Sequence, residues 1–133
     1  MWTFGFNPMK FFILSGAILG LLGVALGAFG AHALRATLTA SGRLDTFETA
    51  VKYQFYHALA LVLVGLLMHV FGSNPATVKW LGWAGNSFLG GTLIFSGSLY
   101  ILCATGITWL GAITPIGGVL MIAGWALLAW AFL

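Results

Sequence analysis

Apolar positions dominate the chain in long, uncharged runs, and polar positions gather between them. Phe11 to Ala31 is the first run, with no charge and no proline. Tyr53 to Phe71 is the second and carries Gln54, His57 and His69. Trp80 to Cys103 is the third, and Ile107 to Leu133 the fourth. A bilayer core takes about 20 apolar residues of helix, so the pattern predicts four membrane-spanning helices over about 11–31, 53–71, 80–103 and 107–133. Aromatic rings stand near the ends of the later runs: Tyr53 and Tyr56, Trp80 and Trp83, then Trp109 with Trp125 and Trp130. Amphipathic rings favour the headgroup layer. The links "GSNPATVK" at 72–79 and "CATGIT" at 103–108 are short enough to make neighbouring spans antiparallel.

The segment from His32 to Lys52 is the only long polar stretch, and its spacing predicts helix. Asp45 followed by Glu48 fits a capping box, each side chain accepting from the other's free backbone N–H. Leu44, Phe47, Val51 and Phe55 form one apolar stripe at spacings of three and four, with Glu48 and Lys52 paired at i, i+4. The second helix is thus expected to start near Thr46, lie in the interface for two turns, and then enter the membrane.

Composition fits this picture. Of 133 residues, 61% are hydrophobic and 5% charged, with a mean hydropathy of +1.06. A water-soluble domain needs roughly a quarter of its residues charged, so lipid must solvate most of this surface. The net charge is +3, but its cations are dispersed and form no nucleic-acid patch. Lys10 and Lys79 fall on one side of the membrane and Arg35, Arg43 and Lys52 on the other, which leaves orientation open. Cys103 is the sole cysteine, which excludes an intrachain disulfide and a cysteine zinc framework.

"AHA" at 31–33 after an apolar run resembles a signal-peptidase site, but a signal peptide's apolar region is about 7–15 residues. Gly16, Gly20, Gly23, Gly27 and Gly30, spaced four, three, four, three, line one helix face that lets a partner helix approach. Their 3.5-residue repeat implies a left-handed crossing, and a retained span is expected. Gly90 with Gly97, Gly111 with Gly118 and Gly117 with Gly124 repeat the spacing. Their plain use is packing within a four-helix bundle, and a homo-oligomer contact is a second use.

Ionisable and polar groups in a span should face protein or water. Tyr53, Gln54 and His57 share a helix face, and His32 ends the first span on the same membrane side. His32, Arg35, Tyr53, Gln54 and His57 are therefore expected to converge near one interface, with Ser96, Ser98 and Thr114 as further polar lining. Tyr100 also stands in the third span. His69 falls at the opposite interface, where it snorkels. Pro115 with Gly117 and Gly118 predicts a soft point or break in the fourth helix. The alternatives are a packed kink or freed backbone groups lining a transport cavity. Two histidines are a thin ligand set for haem or metal, and no nucleophile motif accompanies a base.

"GAFGAHAL" at 27–34, "YQFYHALAL" at 53–61, "FSGSLY" at 95–100 and "ITPIGG…GW" at 113–125 resemble the small membrane proteins of the YgdD type. That family is also called domain of unknown function 423 and is similar to eukaryotic transmembrane protein 256. The resemblance covers all four spans in order. It implies a multi-pass protein of the bacterial cell (inner) membrane with four helices, and supplies no reaction or active site. The expectation is an all-α integral membrane protein, one four-span domain over residues 1–133, with an interfacial amphipathic segment between helices 1 and 2. It is read as non-enzymatic, without cofactor or metal, with a polar pocket for a lipid headgroup, a small solute or an assembly role. A solute or proton pathway through the fourth helix is the alternative, and haem or metal binding a third reading.

Overall fold

A computed structural model describes residues 5–133. Its elements are helices α1 (Pro8–Ala31), α2 (Arg35–Ala40), α3 (Leu44–Val70) and α4 (Pro75–Thr105), a 3₁₀ turn (Thr108–Ala112) and α5 (Thr114–Trp130). The last helix and its 3₁₀ turn act as one span, giving four segments long and apolar enough to cross a membrane. No strand occurs among the described residues.

Two spans begin on the same local device. Asn7 and Asn74 adopt extended backbone as N-caps, and their side-chain oxygens accept from the amides of Lys10 and Thr77 at 3.3 and 3.2 Å. Pro8 and Pro75 then occupy the first turn, where the missing N–H costs no helical bond. Gly106 ends α4 in the left-handed region at φ 75°, a conformation that favours glycine.

The helices pack in chain order: α1 on α3, α3 on α4, and α4 on α5. Consequently α3 and α4 form the interior pair, and α1 and α5 flank them. The main apolar core includes Phe12, Leu61, Val64, Leu81 and Phe88. Exposed Leu21, Val24, Leu59, Val119 and Ile122 form the lipid-facing surface.

The helix of the second span starts at Leu44, two residues before the expected start near Thr46, and its apolar stripe Phe47–Val51–Phe55 lies along the α1 seam. Two expectations need correction. First, the capping box does not form: Arg43 is the N-cap and makes no side-chain cap bond. Asp45 lies inside the first turn, where its charge still complements the helix dipole. Second, Pro115 lies in the first turn of α5, where the 3₁₀ turn gives way to α-helix. It starts the regular helix and does not break one.

Candidate functional site

The five α1 glycines all face α3. A Cβ at Gly16 would lie 2.6 Å from the Ala58 carbonyl oxygen, and one at Gly20 3.9 Å from the Ala58 Cβ. At Gly23 and Gly27 the nearest atoms belong to the Phe55 and Val51 side chains, 3.4 and 3.3 Å away, and at Gly30 to the Phe47 ring. The second glycine seam joins α4 to α5. Gly117 sits against the Phe95 amide and the Gly91 carbonyl, and Gly124 against the Phe88 ring. Gly118 is looser, 3.9 Å from the Phe95 ring. Gly90 and Gly97, expected in the bundle interior, face open space: a Cβ at either would meet nothing within 4 Å.

The eight polar residues expected to line one pocket are divided among separate contacts. Gln54 is 3% exposed. Its amide donates to the Leu19 carbonyl at 2.9 Å and its oxygen accepts from the Tyr100 hydroxyl at 2.6 Å. One side chain thereby ties α1, α3 and α4 together. His57, 4% exposed, donates from Nδ1 to the Tyr53 carbonyl at 2.8 Å. Its Nε2 accepts from the Trp125 indole at 3.1 Å. An indole N–H only donates, so the imidazole is neutral, with its proton on Nδ1. With both nitrogens engaged, His57 has no free lone pair for haem or metal. Among the described residues, no three His, Cys, Asp or Glu side chains gather as metal ligands.

Ser96 donates to the Ala50 carbonyl at 2.7 Å, joining α4 to α3. The Ser98 and Thr114 hydroxyls are 2.6 Å apart and join α4 to α5. Phe95 and Leu110 carbonyls stand within reach of Ser98 and Thr114, at 2.9 and 3.3 Å. Either direction of the shared bond therefore leaves the other proton an acceptor. Tyr53 is 41% exposed, with its ring parallel to His57 and against Phe95.

His32 and Arg35 do not join these groups. Both are exposed, His32 as the C-cap of α1 and Arg35 as the first residue of α2. Gln54 meets α1 at Leu19, thirteen residues or about 20 Å of helix from His32. Gln54 lies ten residues inside α3 and reaches the middle of α1, not the α1–α2 turn. The chain reverses at His32–Leu34, held by the Leu34 amide on the Phe29 carbonyl at 2.9 Å. Beside this turn, an open groove between α1 and α3 is lined by Gly27, Gly30, Ala31, Phe47, Glu48, Val51 and Lys52.

Three residues outside the expected set hold positions of consequence. Tyr100 completes the Gln54 tie. Trp125, exposed on its outer side, donates its indole N–H inward to His57. Arg43 lays its guanidinium at the C-terminal end of α4, with Nη2 3.5 Å from where a Gly106 Cβ would stand. A cation there complements the helix dipole. The Cys103 thiol meets the Arg43 carbonyl at 3.8 Å. A polar residue in a span signals Tyr100; nothing local signals the other two, whose partners are distant in sequence.

Four apolar helices held by buried polar ties and glycine seams define a small multi-pass membrane protein. The chain belongs to the family described as "Protein of unknown function (DUF423)", whose match covers residues 26–118. It is 48% identical over 120 residues to a UPF0382 membrane protein of Staphylococcus haemolyticus, covering 90% of this chain and 93% of that one. It is 46% identical to the UPF0382 membrane protein YwdK of Bacillus subtilis, covering 90% and 94%. No solved structure matches the chain.

Proposed function

We propose that this is a non-enzymatic protein of the cell (inner) membrane whose loop end binds the headgroup of an anionic phospholipid. The observation that carries the reading is the open groove between α1 and α3, with exposed Lys52 on its rim and apolar Val51 and Phe47 along its wall. His32 and Arg35 stand exposed on the adjoining turn. A groove open to its side and apolar along its wall, with Lys52 beside the Glu48 carboxylate on its rim and His32 and Arg35 on the adjoining turn, suits a molecule already in the bilayer better than a dissolved solute. A basic residue near an anionic leaflet contributes about 1 kcal/mol, so Arg35 and Lys52 together are enough to bias which lipid is retained.

The buried serines and histidine support the non-enzymatic reading, since their hydrogen bonds hold helices together. The tight Gly91–Gly117 seam speaks against a solute path between α4 and α5. The test is native mass spectrometry of the chain released from mixed phosphatidylglycerol and phosphatidylcholine bilayers. Phosphatidylglycerol should be retained preferentially, and Arg35→Ala with Lys52→Ala should remove the preference without changing thermal stability. Equal retention of both lipids by the unaltered chain would overturn the proposal.

A further inference from the structure

Asn86 differs from the buried polar side chains of the spans. Gln54, His57, Ser96, Ser98 and Thr114 are buried and hydrogen-bonded within the chain. Asn86 is exposed on α4, and no hydrogen bond to its side chain occurs among the described residues. Its depth makes this costly. Gly85 beside it packs on the Phe12 ring of α1, and Phe88 half a turn on packs against His57. His57 lies between Lys52 and His69 along α3, so this part of α4 is well inside the hydrocarbon. Lipid tails offer an amide neither donor nor acceptor.

We propose that Asn86 is the centre of a self-association surface and that its partner is Asn86 of a second copy of this chain. An amide carries both donor and acceptor. A two-fold axis along the membrane normal sets identical residues opposite each other at equal depth. Each Asn86 NH₂ then donates to the other's carbonyl oxygen, and one residue type satisfies both sides. The surrounding face permits the approach. Gly82 and Gly90, one turn before and after, have nothing within 4 Å of a would-be Cβ, so two α4 backbones can come within reach of this short side chain. The four-residue spacing of Gly82, Asn86 and Gly90 suits a right-handed crossing near −40°. Such a crossing carries the two Lys79 ammoniums apart at the membrane surface, whereas parallel helices would bring them together.

The full chain, reconstituted in phosphatidylcholine vesicles over a range of lipid-to-protein ratios, tests this by Förster transfer between differently labelled copies. A dimer is expected. Asn86→Leu should weaken it at least tenfold while leaving the monomer's thermal unfolding unchanged, because the new side chain faces lipid. Asn86→Gln keeps the amide and should restore part of the association. In a Cys103→Ser background, Gly90→Cys should form an intermolecular disulfide rapidly and Ile122→Cys, on the outer face of α5, slowly. A chain that stays monomeric at every ratio, a dimer indifferent to Asn86→Leu, or faster cross-linking at position 122 would each overturn the proposal. None of these readouts depends on lipid headgroup binding.

Discussion

The two glycine seams bring helices together by different means. Between α4 and α5, the glycines lie on both helices, and at Gly91 and Gly117 backbone meets backbone. Between α1 and α3, Gly16 and Gly65 also reach backbone, but towards the loop the α1 glycines meet side chains: Phe55, Val51 and the Phe47 ring. Side chains can shift by tenths of an ångström and a helix backbone cannot, so close packing makes the first kind of contact unforgiving. The α4–α5 seam is therefore a fixed joint, while the loop end of the α1–α3 seam is adjustable. The open groove lies at that adjustable end.

The largest predicted effect breaks the fixed joint. Gly117→Val would drive two methyl groups into the Gly91 carbonyl and the Phe95 amide, and overpacking of this kind costs about 3 kcal/mol. Gly27→Ala sharpens the contrast. Its Cβ would stand 3.3 Å from a Val51 methyl, a contact that Val51 can relieve, and alanine returns about 0.5–1 kcal/mol of helix propensity. The net change should fall within about 0.5 kcal/mol of zero. Thermal unfolding in detergent micelles separates the outcomes. Equal losses at the two sites would mean that both seams are equally rigid.

A smaller effect is expected at the tie spanning the adjustable seam. Gln54→Met keeps volume but deprives the Tyr100 hydroxyl of its acceptor. An unsatisfied buried group costs about 1–3 kcal/mol, and interhelical bonds within membranes average about 0.6 kcal/mol, so a loss of about 1–2 kcal/mol follows. Tyr100→Phe in the same chain removes the stranded hydroxyl and should recover part of it. A double variant whose loss equals the sum of the single losses would show that the 2.6 Å contact contributes nothing.

How far the sequence discloses this architecture depends on the range of each signal. The α1 glycine face is legible because its 3.5-residue period lies within one helix, and the four spans are legible because each is a continuous apolar run. Where Gln54 points is not, since its partners are 35 and 46 residues away. Pro115 reads as a break until its first-turn position is known, for the same ring that disrupts a helix interior starts one without penalty. Arg43 and Gly106 meet across 63 residues with no local pattern in either.

The smallest predicted loss of a bond concerns the one that links α3 to the fixed joint. Trp125→Phe removes the indole N–H and leaves a ring able to keep the edge-on contact with Phe88, now 4.8 Å between centroids. One interhelical hydrogen bond is lost, worth about 0.6 kcal/mol. The imidazole proton should stay on Nδ1, because the Tyr53 carbonyl at 2.8 Å still accepts it. Nitrogen-15 spectra of His57 can separate the two contributions: Nε2 should shift as its donor disappears, while Nδ1 remains the protonated nitrogen. A switch of the proton to Nε2 would show that Trp125, and not the α3 backbone, selects the tautomer. The α4–α5 unit would then order the interior of α3, and the joint would extend one helix further than its glycines reach.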